Sequence, residues 1–399
     1  VSDHPIFIVG APRSGTTLLA SMLASHSRIG CGPETQFFNK ISPLQFQEAL
    51  HDPVWPQKAI ELITSLTLTQ QKVYELFALS REEIADFLSK QEPSIRALLE
   101  SLTATYAFKL GKPRWAEKTP NHLLHLDLIR QEFPRSPIIR IVRDPRDSAI
   151  SMQKLPWASQ SVLANGYFWD EWFQKSKLFF ESDDNHLTVR YEDLISQPYL
   201  ELQNICSFIN EEFESGMLSP EKASQSVMSP NETWKLQNAK PLNSTRTLIW
   251  KKELVSPLQD AVTFSCIDGI EKFGYEFKLK PTQTLQVYPF HRKIIEQNGE
   301  LFLSAAEQGI KLVKSPSPIA AGELLILPSF DSSIQNSSMR LLHFLAVLII
   351  RQMQMRPVLY MQESLKSTQP PTSRLAKVLI KLLGKEYTLS SKTEGLGLA

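Results

Sequence analysis

The sequence predicts an α/β protein with a P-loop-type parallel sheet flanked by helices, followed by a C-terminal extension. Three observations predict it. Ile6-Phe7-Ile8-Val9 is a short apolar run that ends on a glycine-bounded loop, Gly10 to Gly15, and then on a helical pattern. Ile138 to Val142 is a second continuous apolar run, of the kind that a parallel sheet buries on both faces. Strand-like runs alternate with helical patterns as far as Lys280.

The elements follow in order. Gly10, Gly15 and Thr17 keep the spacing of the phosphate loop G-x-x-x-x-G-K-[ST], but Thr16 stands at the lysine position and the positive charge sits at Arg13. Such a loop presents backbone N–H groups and a helix N-terminus to an anion. It lacks the lysine that reaches the outer phosphates of a triphosphate, so a phosphate compound other than ATP or GTP is expected. Thr16 to Ser25 should be a helix with Leu18, Leu19, Met22 and Leu23 inward. A strand near Arg28 to Cys31 is broken by Gly32-Pro33. Residues 36–108 read as mostly helical, with a capping-box start at Ser80 to Glu83. Trp115 to Lys118 reads as a strand end, and Asn121 is expected to cap a helix running to about Phe133. After Ile138 to Val142, Asp144 supplies an N-cap and Pro145 a first helical residue. A strand at His186 to Arg190, a helix from Leu200 to Phe208 and an amphipathic helix from Ser256 to Phe273, closing at Gly274-Tyr275, complete the alternation. Ligands of such sheets sit beyond the carboxyl ends of the strands.

The 399 residues divide into a domain at 1–280 and an accessory extension at 281–399, where prolines punctuate helical pieces of modest length and no catalytic pattern is found. With 43 basic against 42 acidic side chains there is no basic excess of the kind a general nucleic-acid binder carries. Cys31, Cys206 and Cys266 form no C-x-x-C, which indicates neither a zinc ribbon nor a disulfide framework, and Cys31 reads as a small buried thiol. His122 and His125 share a helical face, but carboxylates at ligand spacing are missing, so no metal is expected there. Leu341 to Ile350 is too short to span a bilayer and carries His343, so a buried helix is the expected reading. The chain opens on Val1-Ser2-Asp3 rather than on Met, compatible with removal of a preceding segment. Asn231-Glu232-Thr233 and Asn243-Ser244-Thr245 fit the glycosylation pattern.

Four separated segments combine. They are the loop from Arg13 to Thr17, then Cys31-Gly32-Pro33-Glu34-Thr35-Gln36-Phe37-Phe38, then Trp115-Ala116-Glu117-Lys118-Thr119-Pro120, and finally Ile141 to Met152. Together they resemble the sulfotransferases that use 3′-phosphoadenosine 5′-phosphosulfate (PAPS), near the tyrosylprotein and heparan-type branches and their bacterial relatives. The resemblance extends to about Tyr275. It implies that Arg13, Ser14, Gly15, Thr16 and Thr17 hold the 5′-phosphosulfate, and that Arg143 and Ser151 bind the 3′-phosphate. Tyr191 matches a position near the nucleotide, and Lys240 and Asn243 match part of a loop that closes over it. Glu34 is implied as the general base, and Lys118 and Arg13 as the groups that stabilise charge on the transferring group, with no metal. The acceptor implied is a hydroxyl of a glycan, a peptide tyrosine or a small metabolite. The compartment implied is the cytoplasm in a bacterium and the Golgi lumen in a eukaryote.

The pattern departs from both branches. The tyrosylprotein branch has a basic residue where this chain has Gln36, and it pairs a cysteine at the Cys31 position with one at the Ala116 position. Heparan-type enzymes have a lysine where this loop has Arg13. Near Trp234, where the tyrosylprotein branch places a catalytic serine, only Ser229 offers itself. Arg146 reads as structural or solvent-facing, and Trp234 and Trp250 as core or gate aromatics. Two rival readings are a nucleoside triphosphate-dependent kinase or NTPase, opposed by Thr16, and a non-catalytic nucleotide-binding protein, opposed by Glu34 and Lys118.

Overall fold

The computed structural model describes residues 4–277, except 156–157, 159–161, 233–245 and 255–257, and beyond them five short strands. Lys240, Asn243, Trp234 and the run from Leu341 to Ile350 lie outside the described residues.

The chain divides into two compact units, one of residues 1–148 and 172–248 and the other of residues 149–171 and 249–399. The first unit is built in this order: β1 (Ile6–Val9), α1 (Thr16–Ala24), β2 (Ile29–Cys31) and the helices α2 (Phe37–Lys40), α3 (Pro43–Leu50) and α4 (Gln57–Ser65). A two-stranded antiparallel ribbon follows, β3 (Thr67–Leu68) and β4 (Gln71–Lys72), then α5 (Val73–Leu76), α6 (Arg81–Ser89) and α7 (Ile95–Lys109). β5 (Arg114–Lys118), α8 (Leu126–Glu132) and β6 (Ile138–Val142) come next. The chain continues through α9 (Pro145–Met152) and α10 (Val162–Ser182), whose residues from 149 to 171 belong to the second unit, and goes on in the first with β7 (His186–Arg190), α11 (Tyr191–Ser196) and α12 (Pro198–Phe208).

The five longer-range strands form one sheet in the order β2-β5-β1-β6-β7, and every pair in it is parallel. Alternation along the strands divides its core between two faces. Ile6, Ile8, Ile139, Ile141 and Val189 join Leu19, Met22 and Leu23 of α1 and Leu202 and Ile205 of α12 in one buried cluster. Phe7, between them in sequence, packs with Trp115 and Phe133 at ring separations of 5.8 and 5.0 Å. Burial on both faces is why these strands read as unbroken apolar runs, and each such side chain contributes about 1.5–3 kcal/mol.

Several boundaries differ from the sequence-based expectation. The segment after β5 is a 3-10 turn over Pro120–Leu124 and then α8, whose N-cap is His125. Asn121 lies inside the turn and caps nothing; His122 faces inward, with Nδ1 2.7 Å from Glu117, and His125 N bonds back to its carbonyl. α11 follows β7 directly, and Gln197-Pro198 separates it from α12, since a residue before proline leaves the helical region. The capping box at Ser80 is present, with Ser80 Oγ accepting from Glu83 N.

In the second unit, α13 (Trp250–Glu253) and α14 (Leu258–Ser265) contribute to a cluster of Ala149, Ile150, Val162, Trp250, Leu254 and Val262. Trp250 is thereby a core aromatic. The expected helix from Ser256 to Phe273 is two helices, α14 and α15 (Ile267–Lys272), interrupted at Cys266, where φ is −135°. Most of the extension, and with it the expectation of helical pieces there, lies outside the described residues. Its described residues are strands, β8 (Lys311–Val313), β9 (Leu324–Leu327), β10 (Val358–Tyr360), β11 (Tyr387–Ser390) and β12 (Gly395–Leu398). They form a sheet in the order β11-β12-β10-β9-β8. Runs this short are below the length at which periodicity separates strand from helix. Among the described residues, no helix is long and apolar enough to cross a membrane.

Candidate active site

The loop between β1 and α1 is shaped by two close approaches. A Cβ on Gly10 would lie 2.4 Å from the Ile141 carbonyl oxygen, and one on Gly15 would lie 2.5 Å from the Tyr191 ring. Gly15 has φ 101° and Arg13 has φ 68°, both left-handed. α1 starts at Thr16 with no side-chain cap and no acidic residue in its first turn, so its opening N–H groups suit an anion. The Ser14 hydroxyl is buried with no hydrogen-bond partner. Thr16 and Thr17 are buried in the first turn of α1.

Arg143, at the carboxyl end of β6, reaches back to this loop. Its Nη1 donates to the Arg13 carbonyl at 3.2 Å, its Nη2 donates to the Arg246 carbonyl at 2.6 Å, and its guanidinium lies 4.9 Å from the Tyr191 ring centre. Arg13, Arg143 and Arg246 thus form a cationic cluster. Burial, then the charges of Arg143 and Arg246, push Arg13 down to about 10, while Tyr191 and Glu232 act in the other direction. Arg246 had no sequence signal of its own beyond standing three residues after Asn243. Ser151 stands in the last turn of α9, which begins two residues after Arg143.

Lys118 and Glu34 meet at the carboxyl ends of β5 and β2. Register pairs Lys118 with Ile8, two residues before Gly10, and Cys31 with Ala116. Lys118 Nζ donates to Glu34 Oε1 at 2.9 Å, and Gln36 Nε2 donates to Glu34 Oε2 at 2.7 Å. Lys118 is 0% exposed and Glu34 5%. Burial alone would lower the lysine, but Glu34 and Glu232 outweigh it and hold Lys118 above its ordinary value. Glu232 is buried, accepts from Ser229 N at 3.2 Å, and acts electrostatically on both Lys118 and Arg13. It was invisible in sequence because nothing local links residue 232 to the strand ends.

The remaining candidates divide. Tyr191 packs on Gly15 and under Arg143. The Ser229 hydroxyl lies 3.1 Å from Thr69 Oγ1 and donates to Gln71 Oε1 at 3.0 Å, so the hairpin β3–β4 holds it. Arg146 is buried in a two-pronged pair with Asp144, at 2.9 and 2.8 Å, which makes it structural. Cys31 is a free buried thiol pushed up to about 12, mainly by burial. His122 does have a carboxylate neighbour, Glu117, which the sequence left unpaired with it. Among the described residues, no group of three or more His, Cys, Asp or Glu side chains is placed to hold a metal ion.

A sequence model described as the Sulfotransferase family matches residues 5–215, more than half of the chain and all five strands of the sheet. The chain belongs to the sulfotransferase family. A putative protein-tyrosine sulfotransferase of Caenorhabditis briggsae is 27% identical over 222 residues, covering 54% of this chain and 69% of that one. Protein-tyrosine sulfotransferase 1 of Danio rerio is 26% identical over 261 residues, covering 62% of this chain and 66% of that one. The chain therefore spans about two thirds of the length of these relatives. Among solved structures, the sulfotransferase domain of the Synechococcus PCC 7002 olefin synthase superposes with a TM-score of 0.51 at 21% identity, over 69% of this chain and 97% of that domain, and shares the fold. Membership makes this chain a PAPS-dependent sulfotransferase that acts on a hydroxyl. The kinase reading finds no support in these comparisons.

Proposed function

We propose that this sulfotransferase binds PAPS at a P-loop-type strand-loop-helix and uses Glu34 as general base toward a hydroxyl of a glycan, a peptide tyrosine or a small metabolite. The observation that carries the reading is the buried Glu34–Lys118 pair, 2.9 Å apart, at the strand ends beside the glycine loop. The residues present fit the nucleotide. The partnerless Ser14 hydroxyl, the uncapped start of α1 and the cluster of Arg13, Arg143 and Arg246 all favour bound anions.

In this reading Arg13, Ser14, Gly15, Thr16 and Thr17 hold the 5′ side, and Arg143 and Ser151 the 3′-phosphate. Tyr191 walls the loop, and Lys240 and Asn243 are carried over from the family resemblance as cofactor-binding residues. PAPS, when bound, supplies an activated sulfuryl group whose leaving oxygen belongs to a phosphate. Glu34 accepts the acceptor proton at a carboxylate oxygen. Lys118 and Arg13 present fixed positive charge where negative charge grows on the leaving oxygen. We assign the catalytic domain to residues 1–280 and an accessory role to the extension, 281–399. The tyrosylprotein relatives support a phenolic acceptor, while Gln36, committed to Glu34, takes the place of the basic residue that would read an acidic peptide.

Screening labelled PAPS against phenols, tyrosyl peptides and glycans identifies an active acceptor. With it, Glu34→Ala is expected to lower turnover by about two to four orders of magnitude, while 3′,5′-adenosine bisphosphate still binds. Near wild-type turnover would remove Glu34 as base.

A further inference from the structure

Glu117, next to Lys118 on β5, is buried and has no task in the reading above. Its Oε1 accepts from Thr35 Oγ1 at 2.8 Å and from Thr119 Oγ1 at 2.6 Å, and its Oε2 lies 2.7 Å from His122 Nδ1. From these three side chains the bonds continue onto successive backbone amides of the segment that follows Glu34. Gln36 N donates to Thr119 Oγ1 at 3.3 Å, Phe37 N to Thr35 Oγ1 at 3.3 Å, and Phe38 N to His122 Nε2 at 3.2 Å. These are opening amides of α2, which its own helix leaves without acceptors.

The network also assigns the imidazole. Nε2 must carry a lone pair to accept from Phe38, so the proton sits on Nδ1 and is donated to Glu117. The charged form of Glu117 fits every bond it makes. Burial favours the neutral carboxyl, while the hydrogen bonds from His122, Thr119 and Thr35 favour the carboxylate. Gln36, held by this network, sits at a left-handed φ of 56° and donates its side-chain amide to Glu34. A non-glycine residue persists there only when its surroundings over-determine it.

We propose that Glu117, acting through Thr35, Thr119 and His122, is a positioning residue that fixes the loop carrying Glu34 against Lys118. The proposal rests on Glu34 being the base. A misplacement of about 1 Å at a reacting group costs on the order of a hundredfold in rate. Glutamine at position 117 cannot reproduce the network. With its amide nitrogen toward His122 it forces the imidazole proton to Nε2, against the Phe38 N–H. Turned over, its amide nitrogen takes the place of the oxygen that accepts from the two threonine hydroxyls, whose protons then lose their acceptor.

The test compares Thr35→Val, Thr35→Ser and Glu117→Gln, with labelled PAPS and the acceptor found by the screen, and with calorimetry of 3′,5′-adenosine bisphosphate. Thr35→Val and Glu117→Gln are expected to lower kcat by about 10- to 100-fold, with the bisphosphate Kd within about twofold, and Thr35→Ser to stay within about threefold of wild type. Wild-type kcat in Thr35→Val, equal losses in the valine and serine variants, or binding that falls in step with kcat would overturn the proposal. If Glu117→Gln fails to fold, the Thr35 pair decides alone. A slow Glu34→Ala beside a fully active Thr35→Val sinks this inference and leaves the base intact. A fully active Glu34→Ala sinks the base and the positioning role together.

Discussion

Lys118 is a charge buried completely at the end of a strand, and it is held there by carboxylates rather than by water. Its folded pKa is raised because Glu34 and Glu232 overcome the burial penalty. A raised lysine stabilises the fold fully below its unfolded pKa, about 10.4, and that contribution is lost as pH rises through the higher folded value. Lys118→Met should therefore show its largest stability deficit against wild type below about pH 10, and the gap should narrow in more alkaline solution. Denaturant unfolding at several pH values checks this, and a deficit independent of pH would refute the pairing. Glu34, Lys118 and Arg13 were legible in sequence because each stands in a local motif. Arg246 and Glu232 were not, because each acts where distant segments meet, and the link from His122 to Glu117 was not, because it needs the 3-10 turn after β5 in place of the expected helix.

At the scale of elements, the loop between β1 and α1 is the most demanding piece of backbone. Gly15 combines a left-handed φ of 101° with a ring 2.5 Å from where a Cβ would stand. Gly111 shares the left-handed conformation at 69° but has open space around it. Gly111→Ala should cost about 1 kcal/mol of stability from backbone strain. Gly15→Ala should cost more, because Tyr191 must move as well, and it should weaken binding of 3′,5′-adenosine bisphosphate. Equal costs in chemical denaturation would show that Tyr191 yields freely. The strands of the sheet were legible because burial on both faces writes them as apolar runs. The break at Cys266 was not, since no proline or glycine marks it. The strands of the extension are too short to announce themselves by period.

Across the whole molecule, the three thiols are buried and none is in a disulfide. Burial pushes Cys31 up to about 12 and Cys206 up to about 11, and the thiolate is the reactive form. A thiol-reactive dye at pH 8 should leave all three unlabelled in the native protein and label them after denaturation. Rapid native labelling would contradict their burial. Cys31 faces Ala116 across the parallel register, so the cystine of the tyrosylprotein branch has no partner here.

We propose that the arginines beside the glycine loop recognise a second phosphate on the nucleotide. Isothermal titration of 3′,5′-adenosine bisphosphate beside adenosine 5′-phosphate is the test. The bisphosphate should bind about 10- to 100-fold more tightly, as expected for added charge-assisted hydrogen bonds, and Arg143→Ala should erase that preference. Equal affinity for the two nucleotides in the wild-type protein would contradict it.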